Sequence, residues 1–206
     1  MNIITLSLGP LGTNCYIVFN HQDCLIFDPS GDADKIIEAV NTNELNPIAI
    51  CLTHAHFDHI GALESIRNKY NIPVYLHEAE STWLSDPKLN GSSLFGLPEI
   101  KCNDADQFLN EGDLHLADFK LKALHVPGHS PGGVSFLFEE GGFIIGGDSL
   151  FQGGIGRTDL YGGDMEALLK NIENKLFTLH GDFKVFPGHG SPTTINEEKN
   201  HNPFFN

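Results

Sequence analysis

Six consecutive residues, His54-Ala55-His56-Phe57-Asp58-His59, hold three of the chain's eleven histidines and a carboxylate. Imidazole nitrogens and carboxylate oxygens are ligands for zinc and similar divalent ions, so the run reads as one half of a two-metal centre. It constrains the local fold as well. Positions two apart point to different faces of a helix, so His54 and His56 meet only on a loop or tight turn. The apolar stretch Ile48 to Leu52 before the run predicts a buried strand, and the spacing from Gly61 to about Lys69 predicts a helix after it. A strand end opening into a helix start is a usual place for a site in mixed sheets. Two plainer readings stand beside this one at this point: a surface histidine cluster, and a cap on the following helix through Asp58 or His59.

At 206 residues with 40% hydrophobic and 19% charged content, the chain suits a single soluble domain spanning 1–206. The formal net charge of -15 disfavours attraction to a phosphate backbone or an anionic membrane, so neither nucleic acid nor membrane is expected as a partner. Cys15, Cys24, Cys51 and Cys102 have no C-x-x-C spacing and read as reduced, buried thiols. With no secretory leader pattern and no apolar run long enough for a membrane span, a cytoplasmic location is expected.

Ile3 to Leu8, Thr13 to Phe19 and Cys24 to Asp28 predict a three-strand meander, followed by a helix over Ala33 to Thr42. Val74 to His77 reads as a strand and Glu78 to Leu84 as a short helix, and the Pro-, Gly- and Asn-rich stretch from Ser85 to Asp106 reads as a long loop. Further strands are expected at Leu114 to Leu116, Phe119 to Val126, Val134 to Phe138, Phe143 to Ile145 and Lys184 to Phe186, with an amphipathic helix from Met165 to Leu176. Meander strands mixed with helices suggest two sheets with helices outside, a layered sandwich.

Three later positions follow predicted strands and sit beside glycine: His129 in Pro127-Gly128-His129, Asp148 in Gly146-Gly147-Asp148, and His189 in Pro187-Gly188-His189. Glycine lets backbone turn tightly next to a ligand. Each alone is ordinary loop chemistry; four such loops at strand ends form a joint pattern.

On these residues the chain resembles the metallo-β-lactamase superfamily, whose T-H-x-H-x-D-H motif stands here as Thr53 to His59. Within it, the chain is most similar to the short bacterial glyoxalase II, or hydroxyacylglutathione hydrolase, group, through Leu8 to Tyr16, both Pro-Gly-His turns, Gly147 to Phe151, Gly156 to Asp159 and Asn202 to Phe204. The resemblance implies an α+β fold of the four-layer α/β-β/α sandwich type. It also implies that His54, His56 and His129 hold one ion, that Asp58, His59 and His189 hold the other, and that Asp148 bridges them. Asp58 and Asp148 would then hold and orient a bridging hydroxide, and Asp28 would orient a ligand histidine, although a turn aspartate before proline is an equal reading of Asp28. The implied cofactors are two divalent ions, zinc first, with iron or manganese permitted by a ligand set without sulfur.

The activity implied is hydrolysis of a small-molecule glutathione thioester such as S-lactoylglutathione. Alternatives are a persulfide dioxygenase with a single iron, and a lactonase or other ester hydrolase of the same superfamily. Longer glyoxalase II proteins carry a C-terminal helical region with basic residues for glutathione; no separate region of that kind is expected here, and after His189 the only lysine or arginine is Lys199. Arg157 is the best internal candidate for substrate binding, but the reading that Arg157 and Asp159 form a structural ion pair ranks ahead of it. Phe95, Phe151 and Tyr161 are candidates for pocket lining, or for core and lid packing. The pattern leaves the oligomeric state open.

Overall fold

The computed structural model describes residues 1–206 except Phe95 and Leu97, so the reading of Phe95 as pocket lining lies outside the described residues. The chain divides into two compact units, residues 1–109 with 116–119 and residues 110–115 with 120–206.

In the first unit the predicted meander forms as β1 (Asn2–Leu8), β2 (Thr13–Asn20) and β3 (Asp23–Phe27), antiparallel, with Leu8 opposite Thr13 and Asn20 opposite Asp23. Parallel neighbours need a crossover, and two helices provide it. Helix α1 (Ala33–Thr42) leads to β4 (Asn46–Cys51), and α2 (Leu63–Tyr70) leads to β5 (Val74–His77). Each helix buries residues on one stripe, Ile36 with Val40 and Leu63 with Ile66, against a core that includes Ile26, Ile50 and Val74. The sheet runs β1-β2-β3-β4-β5-β6, closed at one edge by β6 (Gln107–Leu109), a short strand parallel to β5 that the loop composition hid. Glu78 to Leu84 is not a helix as expected but a single 3-10 turn, Glu78–Glu80, followed by further turns. Register matters most for function. Phe27 pairs with Cys51, so the carboxyl ends of β3 and β4 emerge side by side and bring Asp28 next to Thr53.

The second unit carries β7 (Gly112–Leu116), β8 (Phe119–His125), β9 (Val134–Phe138), β10 (Phe143–Gly147), a small hairpin of β11 (Leu150–Phe151) and β12 (Gly154–Ile155), and then α3 (Met165–Asn171). After these come β13 (Lys184–Pro187), β14 (Thr193–Thr194) and α4 (Ile195–His201). The main sheet is ordered β14-β13-β10-β9-β8-β7. Strands β10 and β13 are parallel, with Gly147 opposite Pro187, so Asp148 and the Gly188-His189 pair leave the sheet at the same end. Asp164 caps α3 by accepting from the Ala167 N–H at 2.9 Å. The predicted helix from Met165 to Leu176 is present, but from Ile172 to Leu176 it widens into a π turn. Leu168, Ile172 and Leu176 still face one core with Val126, Leu137, Ile144 and Val185.

All four cysteines are buried free thiols. Burial, with Asp23 adding to it, pushes the Cys24 thiol up to about 12, and burial likewise raises Cys102 to about 11. Such thiols stay protonated near neutrality and are poor metal ligands or nucleophiles. Among the described residues no helix is long and apolar enough to cross a membrane.

Candidate metal centre

The first unit gathers His54, His56, Asp58 and His59 just beyond β4, all buried. His54 and His56 share a loop, as the spacing requires, and Phe57–His59 form a 3-10 turn that swings Asp58 and His59 back toward them. The His54 ring centroid lies 4.7 Å from that of His56 and 4.1 Å from that of His59.

Asp28 organises this loop. Its Oδ1 accepts from the Thr53 N–H at 2.8 Å, and its Oδ2 accepts from the Thr53 hydroxyl at 2.7 Å and from His59 Nδ1–H at 2.9 Å. Because the Thr53 hydroxyl gives its only proton to Asp28, its oxygen must accept from His54 Nδ1–H, 3.1 Å away. The sequence did not mark three other supports of the loop. The Thr13 hydroxyl donates to Asp58 Oδ2 at 2.7 Å, the fully buried Glu80 accepts the Ala55 N–H at 2.6 Å, and the Trp83 ring packs 5.5 Å from His56.

The second unit gathers His129, Asp148 and His189. Asp148 Oδ2 lies 3.6 Å from His129 Nε2 and 3.5 Å from His189 Nε2. His129 Nδ1–H donates to the Arg157 carbonyl at 2.7 Å. The Arg157 side chain forms a bidentate pair with Asp159, at 2.7 and 2.8 Å, and the guanidinium holds the Asp159 carboxyl down at about 2. Both side chains are more than half exposed, so solvent screening leaves the pair little weight in stability. Arg157→Ala is therefore expected to leave KM within about twofold and stability nearly unchanged, because the carbonyl that orients His129 remains. A tenfold rise in KM in a titration of substrate would instead assign the side chain to substrate binding. Phe151 stands edge-on to His189 with ring centroids 6.2 Å apart, whereas Tyr161 is largely exposed.

These hydrogen bonds fix three histidines in one tautomer. With Nδ1–H donated to a carboxylate, a hydroxyl or a carbonyl, His54, His59 and His129 in their neutral form carry their lone pair on Nε2. His59 Nε2 then faces Asp58 Oδ2 at 3.6 Å, and His129 Nε2 faces Asp148 Oδ2 at the distance given above. Acceptor faces acceptor in both units, an arrangement that suits a cation held between them, with each ligand bond about 2 Å long. The donors are all nitrogen and oxygen, and their support by Asp28 and the Arg157 carbonyl is the outer hydrogen bonding that ligand histidines need. The residues present fit divalent metal.

A profile of the Metallo-beta-lactamase superfamily matches residues 8–189, from the end of β1 through the last of these histidines. The chain belongs to the metallo-beta-lactamase superfamily. Among curated relatives in this superfamily it is 47% identical over 202 residues to a probable metallo-hydrolase, YqgX, of Bacillus subtilis, covering 98% of this chain and 96% of that one. It is 37% identical over 209 residues to the hydroxyacylglutathione hydrolase GloC of Haemophilus influenzae, covering 100% and 99%. Of solved structures, the BLEG-1 B3 metallo-beta-lactamase superposes with a TM-score of 0.97 at 47% identity, over 99% of both chains. TTHA1623 in a di-iron-bound form superposes with a TM-score of 0.88 at 37% identity, over 98% and 99%. The α+β fold class read from the sequence is thus the fold of this metallo-beta-lactamase superfamily member.

Proposed function

We propose that the chain is a dinuclear metallohydrolase acting on a small-molecule glutathione thioester such as S-lactoylglutathione, with its two units working as one domain. In this reading His54, His56 and His129 hold one ion, Asp58, His59 and His189 hold the other, and Asp148 serves both. The observation that carries it is the shared tautomer of His54, His59 and His129, each presenting Nε2 where a neutral histidine binds metal. A pair of divalent ions, zinc first, would lower the pKa of a bound water from 15.7 toward about 7 and polarise a substrate carbonyl.

The chain's own groups supply position. Asp58, tied by Thr13, and Asp148 orient the attacking water, while Asp28 and the Arg157 carbonyl keep the imidazoles from rotating. A thioester suits this arrangement, because a thiolate with an ordinary pKa of about 8.5 leaves without a strong acid, whereas an amide nitrogen does not. The identity to GloC supports the substrate class. A second reading, oxygen chemistry on a persulfide at a single iron, draws support from the sulfur-free donor set, which suits iron, and from the iron found in TTHA1623. A lactonase or other ester hydrolase would use the same groups. The partner in every case is a small molecule, and we propose a cytoplasmic setting consistent with four protonated thiols.

The test is metal analysis of purified protein alongside S-lactoylglutathione hydrolysis and oxygen uptake on glutathione persulfide. Two ions per chain with thioester turnover are expected, and His54→Ala should lose an ion and at least about 10²-fold in kcat together. Turnover that survives complete metal removal would reject the mechanism, and oxygen uptake without hydrolysis would favour the iron reading.

A further inference from the structure

Beside Asp58, within the first unit, a cavity of about 410 Å³ opens between the β1–β2 turn and the loop that precedes β6. That volume lies in the range of small-molecule sites and is on the order of a dozen water volumes. Its apolar lining comes from Pro10, Phe57, Pro98 and Ile100. Its charged groups are Asp58 and Asp32, the latter already committed to the Gly9 N–H at 3.0 Å and to Lys35 at 3.3 Å. No lysine, arginine or histidine is among the described residues lining it. Its floor is backbone packed on backbone. A Cβ on Gly61 would come within 2.3 Å of the Ser30 carbonyl oxygen, and one on Gly31 within 2.8 Å of the Gly9 Cα. The cavity is therefore held open by rigid main chain, which is what a preformed ligand site requires.

We infer that this cavity receives the acyl arm of the substrate, and that the arm is uncharged, apolar and longer than a lactoyl group. The inference rests on the hydrolase reading above for the word acyl. The chemistry of the lining disfavours the other arm: glutathione carries two carboxylates, and with no lysine, arginine or histidine among the described lining residues to pair them, burial there would leave them desolvated. An alkyl chain loses nothing there and gains favourable transfer with each methylene buried. Position agrees, since one wall of the cavity is Asp58, so an arm seated in it places its carbonyl end beside a proposed ligand.

The experiment compares S-propanoyl-, S-hexanoyl- and S-adipoylglutathione, which share a leaving group, on the metal-loaded enzyme. In parallel it titrates hexanamide, a neutral probe, into metal-free protein while observing the Ile100 methyl and Phe57 ring signals by NMR. The hexanoyl ester is expected to exceed the propanoyl ester at least about tenfold in kcat/KM, with the adipoyl ester the poorest, and hexanamide should shift both signals. Pro10→Lys, on an exposed turn where folding is not at stake, should raise the adipoyl ester relative to the hexanoyl ester. Propanoyl and hexanoyl esters turned over equally, with no hexanamide shift, would overturn the pocket and leave the hydrolase reading standing. No turnover of any thioester would retire the hydrolase reading, and the hexanamide titration alone would then decide whether the cavity binds apolar chains.

Discussion

Asp28→Ala is expected to destabilise the chain by about 3 kcal/mol or more and to weaken metal binding by about 10–100-fold. Three donors converge on this buried carboxylate, the Thr53 N–H, the Thr53 hydroxyl and His59 Nδ1–H, and alanine would leave all of them inside the protein with nothing to accept them. Asp28 also sits at φ 47°, a left-handed conformation that aspartate and asparagine tolerate better than alanine. Asp28→Asn separates the two effects. Its oxygen can keep the Thr53 N–H bond and its backbone suits the site, so much of the stability should return. The amide NH₂ would then take the place of Oδ2 and point a donor at His59 Nδ1–H, so metal affinity should not return with it. Denaturant unfolding and chelator competition on both variants measure the split. An Asp28→Asn protein that binds metal like the wild type would reduce Asp28 to a turn residue before proline, the reading its sequence context equally allowed.

The candidate ligand loops were legible in the sequence because their chemistry resides in side-chain type and their placement in strand periodicity. His54 to His59, His129, Asp148 and His189 all lie just past strand ends, where the apolar runs stop. The supports were not legible. Thr13 reaches Asp58 across 45 positions and Glu80 reaches Ala55 across 25, and neither residue type is distinctive where it stands. Pairing of β2 with β3, of β3 with β4 and of β4 with β5 creates these meetings, and pairing register leaves no local trace. Some of what was missed did have a signal. Thr194-Ile195-Asn196-Glu197 is a capping pattern, and Thr194 does accept the Glu197 N–H at the start of α4. The widening of α3 after Asn171 had none, since Leu168, Ile172 and Leu176 keep their spacing through it.

Gly156→Ala is expected to lower kcat about 10²-fold and to cost about 1–3 kcal/mol of stability. A Cβ at Gly156 would stand 1.9 Å from the Asp148 carbonyl oxygen and 3.1 Å from the His129 Cβ, so the loop following β12 would have to withdraw by roughly an ångström. The same loop presents the Arg157 carbonyl to His129 Nδ1–H, and its Gly156 N–H bonds the Ser149 carbonyl at 3.2 Å, one residue past Asp148. Withdrawal would therefore shift two proposed ligands at once while leaving every ligating side chain in the sequence. Gly153→Ala provides the comparison. It forces alanine into a left-handed conformation, at φ 67°, a strain that Gly156 does not carry, but nothing lies within 4 Å of the added carbon. It should cost about 1–2 kcal/mol with kcat and metal content unchanged. If Gly156→Ala kept wild-type kcat and metal stoichiometry, the close fit of this loop against Asp148 and His129 would have no bearing on the reaction, and the orientation of His129 would have to come from elsewhere.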